Sequence, residues 1–237
     1  MGMVDFDVLD GADEFINACN MLGLRCGAGL ETRVFVAEFA GDEINSPGEP
    51  GISYHIGAGF TSSTITGKAA MLLRGLKAMA QQRTRIILER VNTLLEEIAL
   101  DFEEDVLPLT PAGNATERHV CAAYHDKACT LFQNKDELAQ YWSKKLNTPV
   151  EQIAKALNDP PVFQGILRSK TMKAGGIGYV KAQGDDFPAL EAVNEFILSN
   201  GAIPTFAFLD GTSSGEAKMD DLLDCMIASG VAAVTII

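Results

Sequence analysis

Two residues, Glu31 and His55, are of types that commonly bind metal ions, and both lie in short segments with strand-like composition. Glu31 ends the segment 29–31 (Gly-Leu-Glu), and His55 lies within the segment 52–57 (Ile-Ser-Tyr-His-Ile-Gly). Carboxylate oxygens and imidazole nitrogens are both ligands of divalent metals. In α/β proteins, functional side chains gather at the ends of strands. The two segments therefore indicate where metal chemistry is expected, although two ligands alone do not make a metal site.

Composition and charge narrow the classes of protein to which the chain could belong. It has 237 residues, of which 47% are hydrophobic, enough for one sizeable core or a core with a helical subdomain. The formal net charge of −13 argues against a surface for nucleic-acid phosphates. No apolar run approaches the ~20 residues that span a bilayer, and no secretory signal is visible at the N-terminus. The five cysteines are odd in number and lack Cys-x-x-Cys spacing, which is typical of reduced thiols in a cytoplasmic protein.

The elements that must position these residues fall into three regions. The pattern of residues 1–61 predicts an α/β segment with short strands near 24–26, 33–39 and 52–56. Residues 62–173 carry apolar positions three and four apart, which predicts a helical insertion. Residues 174–237 return to α/β, with strands at 203–208 and 231–237. The expected organisation is a discontinuous α/β barrel-like domain, 1–61 and 174–237, interrupted by a helical subdomain.

Four segments, in order, resemble motifs of the polymerase-and-histidinol-phosphatase (PHP) superfamily of metal-dependent phosphoesterases. Residues 4–11 (Val-Asp-Phe-Asp-Val-Leu-Asp-Gly) are similar to its Thr-Asp-His-Asp-x-x-Asp-Gly motif, and residues 29–31 to its Gly-x-Glu motif. Residues 55–60 (His-Ile-Gly-Ala-Gly-Phe) resemble its His-Ile-Leu-Gly-Tyr motif. Residues 116–122 (Thr-Glu-Arg-His-Val-Cys-Ala) resemble its Arg-Pro-His-Ile-Ala motif. The resemblance implies an incomplete PHP-like (β/α) barrel with a large α-helical insertion.

The chain departs from the family at several metal ligands. Phe6 replaces the histidine of the second motif, and Phe208 replaces that of the Ala-His-Pro motif. The His-x-His motif of the first strand has no counterpart, and the final Asp-x-His motif would lie beyond residue 237. A piece of a larger reading frame, or a trimmed one, is therefore expected. A barrel without all its strands has unpaired edges, through which a homo-oligomer could form.

The resemblance assigns a role to each matching residue. It implies that Glu31 bridges two divalent metals (Zn, Mn or Fe) and that His55 binds one of them. Asp5 and Asp7 would be outer-shell carboxylates, and Arg118 and His119 would contact the phosphate of a small phosphorylated substrate. The expected activity is hydrolysis of a phosphoester by metal-activated water.

Other interpretations of the chain and of its residues remain open from the sequence alone. The chain could be an inactive relative that binds a ligand or a partner, or a metal-free α/β domain with an accidental likeness to the family. If the two residues have no functional role, Glu31 would pair with a cation such as Arg33, and His55 would be a hydrogen-bonded core histidine. Arg118 and His119 could equally be an exposed pair in the first turn of a helix.

Overall fold

The computed structural model describes residues 1–181 and 184–236, apart from the side chain of residue 185. It is a mixed α/β structure with two compact units. Unit 1 comprises residues 1–78 with the described residues from 181 onward, and unit 2 comprises residues 79–180. None of the described helices is both long and apolar enough to cross a membrane.

Unit 1 is built on one five-stranded sheet. Its strands are β1 (Gly2–Phe6), β2 (Gly27–Phe35), β3 (Ile52–Phe60), β4 (Ile203–Phe208) and β5 (Ala233–Ile236), in that spatial order. The outer pairs β1–β2 and β4–β5 are parallel, whereas β2–β3 and β3–β4 are antiparallel. The described strands form an open sheet rather than a closed barrel, with β1 and β5 at its edges. Of the strand predicted at 231–237, the part from Ala233 to Ile236 forms β5, and residue 237 lies outside the described residues.

Helices α1 (Ala12–Met21), α7 (Leu190–Ser199) and α8 (Met219–Ala228) also belong to unit 1. The apolar positions of α7 recur three and four residues apart, so that one stripe faces the core. This core contains Leu30 and Val34 from β2, Phe206 from β4, and Val193 and Ile197 from α7. Leu30, Val34 and Phe206 lie on the face of the sheet that packs against α7, and we call it the helix-covered face. We call the opposite face the open face.

Unit 2 is helical and has a core of its own. Helix α2 (Gly67–Asn92) contains the boundary between the units, and α3 (Glu117–Leu131), α4 (Lys135–Leu146), α5 (Val150–Ala156) and α6 (Pro160–Thr171) follow. Trp142 and Phe163 are fully buried, with ring centroids 5.0 Å apart. Aromatic packing between α4 and α6 therefore anchors this core, since such pairs add to the free energy of area burial.

Candidate functional site

Glu31 lies on the open face of the sheet, level with the end of β1. It pairs with Phe6 of β1 and with Ile56 of β3, and residues that pair directly across strands share a face. The Glu31 side chain is half-buried, and this burial raises the pKa of its carboxyl. Within the described residues Glu31 forms no ion pair, because Arg33 pairs instead with Glu49. A half-buried carboxylate that forms no ion pair among the described residues is available to a ligand.

His55 lies on the opposite, helix-covered face. It pairs with Thr32 rather than with Glu31, and side chains alternate between faces along a strand. The His55 side chain is 1% exposed, and its Nε2 lies 2.6 Å from Oδ1 of Asn194 in α7. Because Nδ2 of Asn194 donates to the carbonyl of Ser229, its Oδ1 faces the imidazole and Nε2 carries the proton.

The environment of His55 is that of a neutral core histidine. Burial lowers its pKa to about 4, against a smaller opposing effect of the hydrogen bond with Asn194. Its Nδ1 has no hydrogen-bond partner in the described part of the chain. Gly57 is two residues after His55 and lies on the same face of β3. Its surroundings are also tightly packed, since a Cβ there would lie 2.9 Å from the Ile197 side chain.

The structure therefore does not bring Glu31 and His55 together. A bound metal needs ligand atoms converging at about 2.0–2.2 Å, which side chains on opposite faces of one sheet cannot provide. Tyr54, the neighbour of His55, occupies the open face beside Arg33. Among the described residues, no three or more His, Cys, Asp or Glu side chains form a group that could hold a metal ion. The residues present do not fit the metal centre that the resemblance implies.

Asp7 is the second titratable group at this edge of the sheet. It follows β1 in the left-handed region (φ 63°), and its amide donates to the carbonyl of Glu31. Its Oδ1 lies 2.5 Å from Oγ1 of Thr32, which donates to it. Burial raises the pKa of Asp7 to about 6, although Thr32 and the charge of Arg33 oppose the rise and the charge of Glu31 adds to it. A strained backbone and a perturbed carboxyl mark a functional-site candidate.

Asp5 lies on the same side of the sheet as Thr32, the hydrogen-bond partner of Asp7. It pairs with Leu30 in the parallel register of β1 and β2, so it lies on the helix-covered side of the sheet. Its Oδ2 is 3.0 Å from the position that a Cβ on Gly11 would occupy, close to the start of α1. The charge of Glu31 acts on the carboxyl of Asp7.

Arg33 completes the open face beside Glu31. Its Nη1 donates to Oε2 of Glu49 at 3.1 Å, and the same oxygen accepts a hydrogen bond from Ser46 at 2.7 Å. The ring of Phe187 lies 4.3 Å from the guanidinium carbon. No local pattern predicts this buried pair, because Glu49 lies in a turn-rich segment without strand or helix periodicity.

Arg118 and His119 lie in unit 2, in the first turn of α3. Nδ1 of His119 accepts a hydrogen bond from the Thr116 amide at 3.1 Å, so the imidazole caps this helix. Burial lowers the pKa of His119, which keeps Nδ1 able to accept. Arg118 is exposed, and the adjacent Glu117 pairs with Arg168 at 2.6 Å. The geometry thus gives His119 a capping role; phosphate contact stays a prediction.

Comparisons with known proteins identify relatives by structure only. No family model matches the chain, and no curated protein matches it by sequence. A candidate metal-dependent phosphoesterase from Bifidobacterium adolescentis has a similar structure, with 17% identity, a TM-score of 0.56, and coverage of 98% of this chain and 65% of its own. An amidohydrolase from Chromobacterium violaceum, solved with bound sulfate and no metal, has 17% identity and a TM-score of 0.54. It is covered over 64% of its length, against 98% of this chain.

The chain is similar to the two solved proteins in its three-dimensional structure. At this level of identity, the likeness is one of fold and extends along nearly all of this chain. The chain spans about two thirds of the length of each solved structure. The structure that carries Glu31 and Asp7 therefore has the fold of proteins described as a metal-dependent phosphoesterase and an amidohydrolase.

Proposed function

We propose that this chain is a PHP-like domain with an incomplete barrel that does not catalyse metal-dependent hydrolysis by itself and instead binds a ligand on its open face. The observation that carries the proposal is the pairing of His55 with Thr32 in the β2–β3 register. This pairing directs the imidazole away from Glu31 and into the helix-covered core. Activation of water by metals requires several ligands in one pocket, and Phe6 contributes an apolar ring where the family motif has a histidine.

The chemistry of the open face favours a cationic ligand. Glu31 offers a half-buried carboxylate, and the rings of Phe6 and Tyr54, 6.1 Å apart, flank the same part of the sheet. A carboxylate beside aromatic faces stabilises an organic cation through charge and through cation–π attraction. The positive charge of Arg33 is offset by Glu49, and the net charge of −13 adds long-range attraction for cations.

Binding of a cation can be tested with a matched pair of probes. Calorimetric titration with spermidine, at low salt, should give saturable binding that weakens at least about tenfold in Glu31→Gln. Inorganic phosphate should not compete. Asp224→Asn, which removes one exposed carboxylate from α8, controls for loss of net charge. Equal loss of affinity in both variants would mean that the chain attracts cations without a site.

A second candidate function is the one that the resemblance implies, metal-dependent hydrolysis of a phosphoester. The observation in its favour is that the fold similarity covers 98% of this chain but only 65% of the solved phosphoesterase-like protein. Ligands from residues outside this sequence, or from a partner, would then complete a Zn, Mn or Fe centre around Glu31. Its substrate would be a small phosphorylated molecule.

Metal content separates the two candidates. After incubation with Mn²⁺ or Zn²⁺ and desalting, we expect substoichiometric metal in wild type, Glu31→Gln and His55→Ala alike. Hydrolysis of p-nitrophenyl phosphate should not exceed that of the metal solution. Stoichiometric metal that is lost in Glu31→Gln, with phosphatase activity, would favour the phosphoesterase and refute the proposal.

We also propose that the protein associates with another chain through the edge strands of its open sheet. The edge strand β5 exposes Val234 and Ile236, and β1 exposes Val4. Unpaired edges of this kind pair with other chains unless they are covered. Light scattering over a range of protein concentrations would reveal a dimer. A monomer throughout that range would remove this part of the proposal.

A further inference from the structure

The open face around Glu31 is mostly apolar. Phe6 and Ile56 pair with Glu31 from the strands on its two sides, and both are half-buried. Val4 and Ile203 also occupy open-face positions, on β1 and β4, and both are exposed. Residues that pair across strands share a face, so the Glu31 carboxylate is set in an apolar part of the sheet. A ligand bound to this carboxylate would therefore also contact apolar groups.

Two aromatic rings lean towards each other over β2, the strand that carries Glu31. Phe6 is in β1 and Tyr54 is in β3, so their backbones are separated by two strand spacings, or about 10 Å. Their ring centroids are only 6.1 Å apart, and the ring planes are inclined by 58°. We call this pair of rings the aromatic corner. Aromatic faces attract cations that lie within about 6 Å of the ring centroid.

The open face presents one carboxylate whose charge is not offset. Along the described strands, the charged residues at open-face positions are Glu31 and Arg33. Arg33 is buried, and its charge is offset by Glu49. Asp7 is buried as well, and its Oδ1 accepts a hydrogen bond from a threonine on the helix-covered face. A second positive charge on a ligand would lie near Arg33, about 7 Å along β2 from Glu31. The face therefore matches a ligand with a single positive charge.

We infer that the ligand of the open face is a monovalent organic cation of the quaternary-ammonium class with an apolar substituent, and that Phe6 and Tyr54 determine this specificity. The inference rests on the proposed cation site at Glu31 and adds the class of cation. A quaternary ammonium has no N–H group to donate, so it needs no acceptor beyond the charge of one carboxylate. It gains free energy from aromatic faces and from the apolar surface that it removes from water. A polyamine spreads several charges along a polar chain, which one carboxylate does not match.

Calorimetric titration at physiological salt separates the classes of cation. Benzyltrimethylammonium should bind at least about tenfold more tightly than spermidine, whose mainly electrostatic attraction is screened at this ionic strength. Benzyl alcohol, which has a similar ring without the charge, should show no saturable binding. Glu31→Gln should weaken the binding of benzyltrimethylammonium at least about tenfold.

Variants of the aromatic corner test the source of the specificity. Phe6→Leu keeps an apolar side chain but removes one ring, so it should weaken benzyltrimethylammonium binding about fivefold, and Tyr54→Leu should do the same at the second ring. Phe6→Tyr keeps the ring and should bind as wild type does. The matched control is Phe132→Leu in unit 2, which removes one ring of a pair with centroids 4.6 Å apart and should leave the affinity unchanged. Circular dichroism of each variant establishes that it is folded.

Each other result would overturn the inference in a recognisable way. If spermidine bound as tightly as benzyltrimethylammonium, and Glu31→Gln weakened both, the cation site would stand but its apolar specificity would be refuted. Unchanged affinity in folded Phe6→Leu and Tyr54→Leu, or equal affinity for benzyl alcohol, would refute the role of the rings or of the charge. Absence of binding by both cations would refute the proposed cation site itself. An affinity that falls as the protein concentration rises would assign the open face to a second copy of the chain.

Discussion

Replacement of Asp7 by asparagine should stabilise the protein at neutral pH and change how its stability depends on pH. Asp7 is 8% exposed and accepts a hydrogen bond from Thr32. Asparagine keeps the side-chain oxygen as an acceptor, and it tolerates the left-handed φ of 63° better than most residues. The substitution therefore removes the charge while it leaves the local geometry intact.

The sign and size of the effect follow from the pKa of Asp7. The folded protein raises this pKa from 3.8 to about 6, so the folded state favours the protonated carboxyl. The stability that Asp7 contributes is complete below pH 3.8 and is lost as the pH rises through 6. With 1.36 kcal/mol per pKa unit, the loss is about 3 kcal/mol above pH 6. Asp7→Asn should restore most of this at pH 7.5 and almost none at pH 3.8.

His55 has the opposite dependence in the same pH range. Its pKa falls from 6.5 to about 4 on folding, so the folded state favours the neutral imidazole. The stability that the neutral histidine contributes is present above pH 6.5 and is lost as the pH falls through 4, by about 3 kcal/mol. The contributions of His55 and Asp7 therefore nearly cancel in the wild type between pH 4 and 6.5. Asp7→Asn should reveal the loss from His55 alone.

Urea unfolding followed by circular dichroism at several pH values measures the prediction. In wild type, we expect the combined contribution of these two groups to the free energy of unfolding to change little with pH. In Asp7→Asn, we expect a free energy of unfolding about 3 kcal/mol higher at pH 7.5, which declines towards pH 4. The exposed control Asp224→Asn should shift the curve by less than about 0.5 kcal/mol. If Asp7→Asn were no more stable than wild type at pH 7.5, the burial argument for Asp7 would be wrong.

Substitutions at three further positions test other parts of the structure by urea unfolding. Glu49→Gln should cost about 3 kcal/mol because it leaves the buried charge of Arg33 without its partner, and a cost below 1 kcal/mol would mean that the pair is solvated. Phe163→Ala should destabilise unit 2 by about 3–5 kcal/mol, reported by the fluorescence of Trp142; an unchanged unfolding midpoint would contradict the packing described. His119→Ala should cost about 1 kcal/mol through loss of the helix cap, whereas His119→Asn should recover part of it.

Several elements of the fold could be predicted because their signals are local. The predicted strand at 203–208 is confirmed by β4, and the strand predicted near 52–56 corresponds to the first part of β3. Gly23 follows α1 with a φ of 67°, a conformation that glycine commonly adopts at the end of a helix. Alternating patterns and a glycine with positive φ depend on neighbouring residues in the chain, so one sequence is enough to read them.

Other elements could not be predicted because they depend on distant pairing. Short strands were expected near 24–26 and 33–39, but β2 runs from Gly27 to Phe35. Pairing with β1 and β3 on both sides holds this glycine-rich segment, which has low strand propensity, in the sheet. The first strand, β1, was not predicted. The buried contact between Arg33 and Glu49 joins a strand to a loop, and no local pattern signals it.

The sequence by itself determined that Glu31 and His55 lie in strand-forming segments, and it supplied the titratable groups and the order of α/β and helical regions. Only the tertiary structure decided which face of the sheet each residue occupies. The β2–β3 register pairs Thr32, not Glu31, with His55. Because side chains alternate with a period of two, this offset of one residue separates a histidine from a carboxylate by the whole thickness of a sheet.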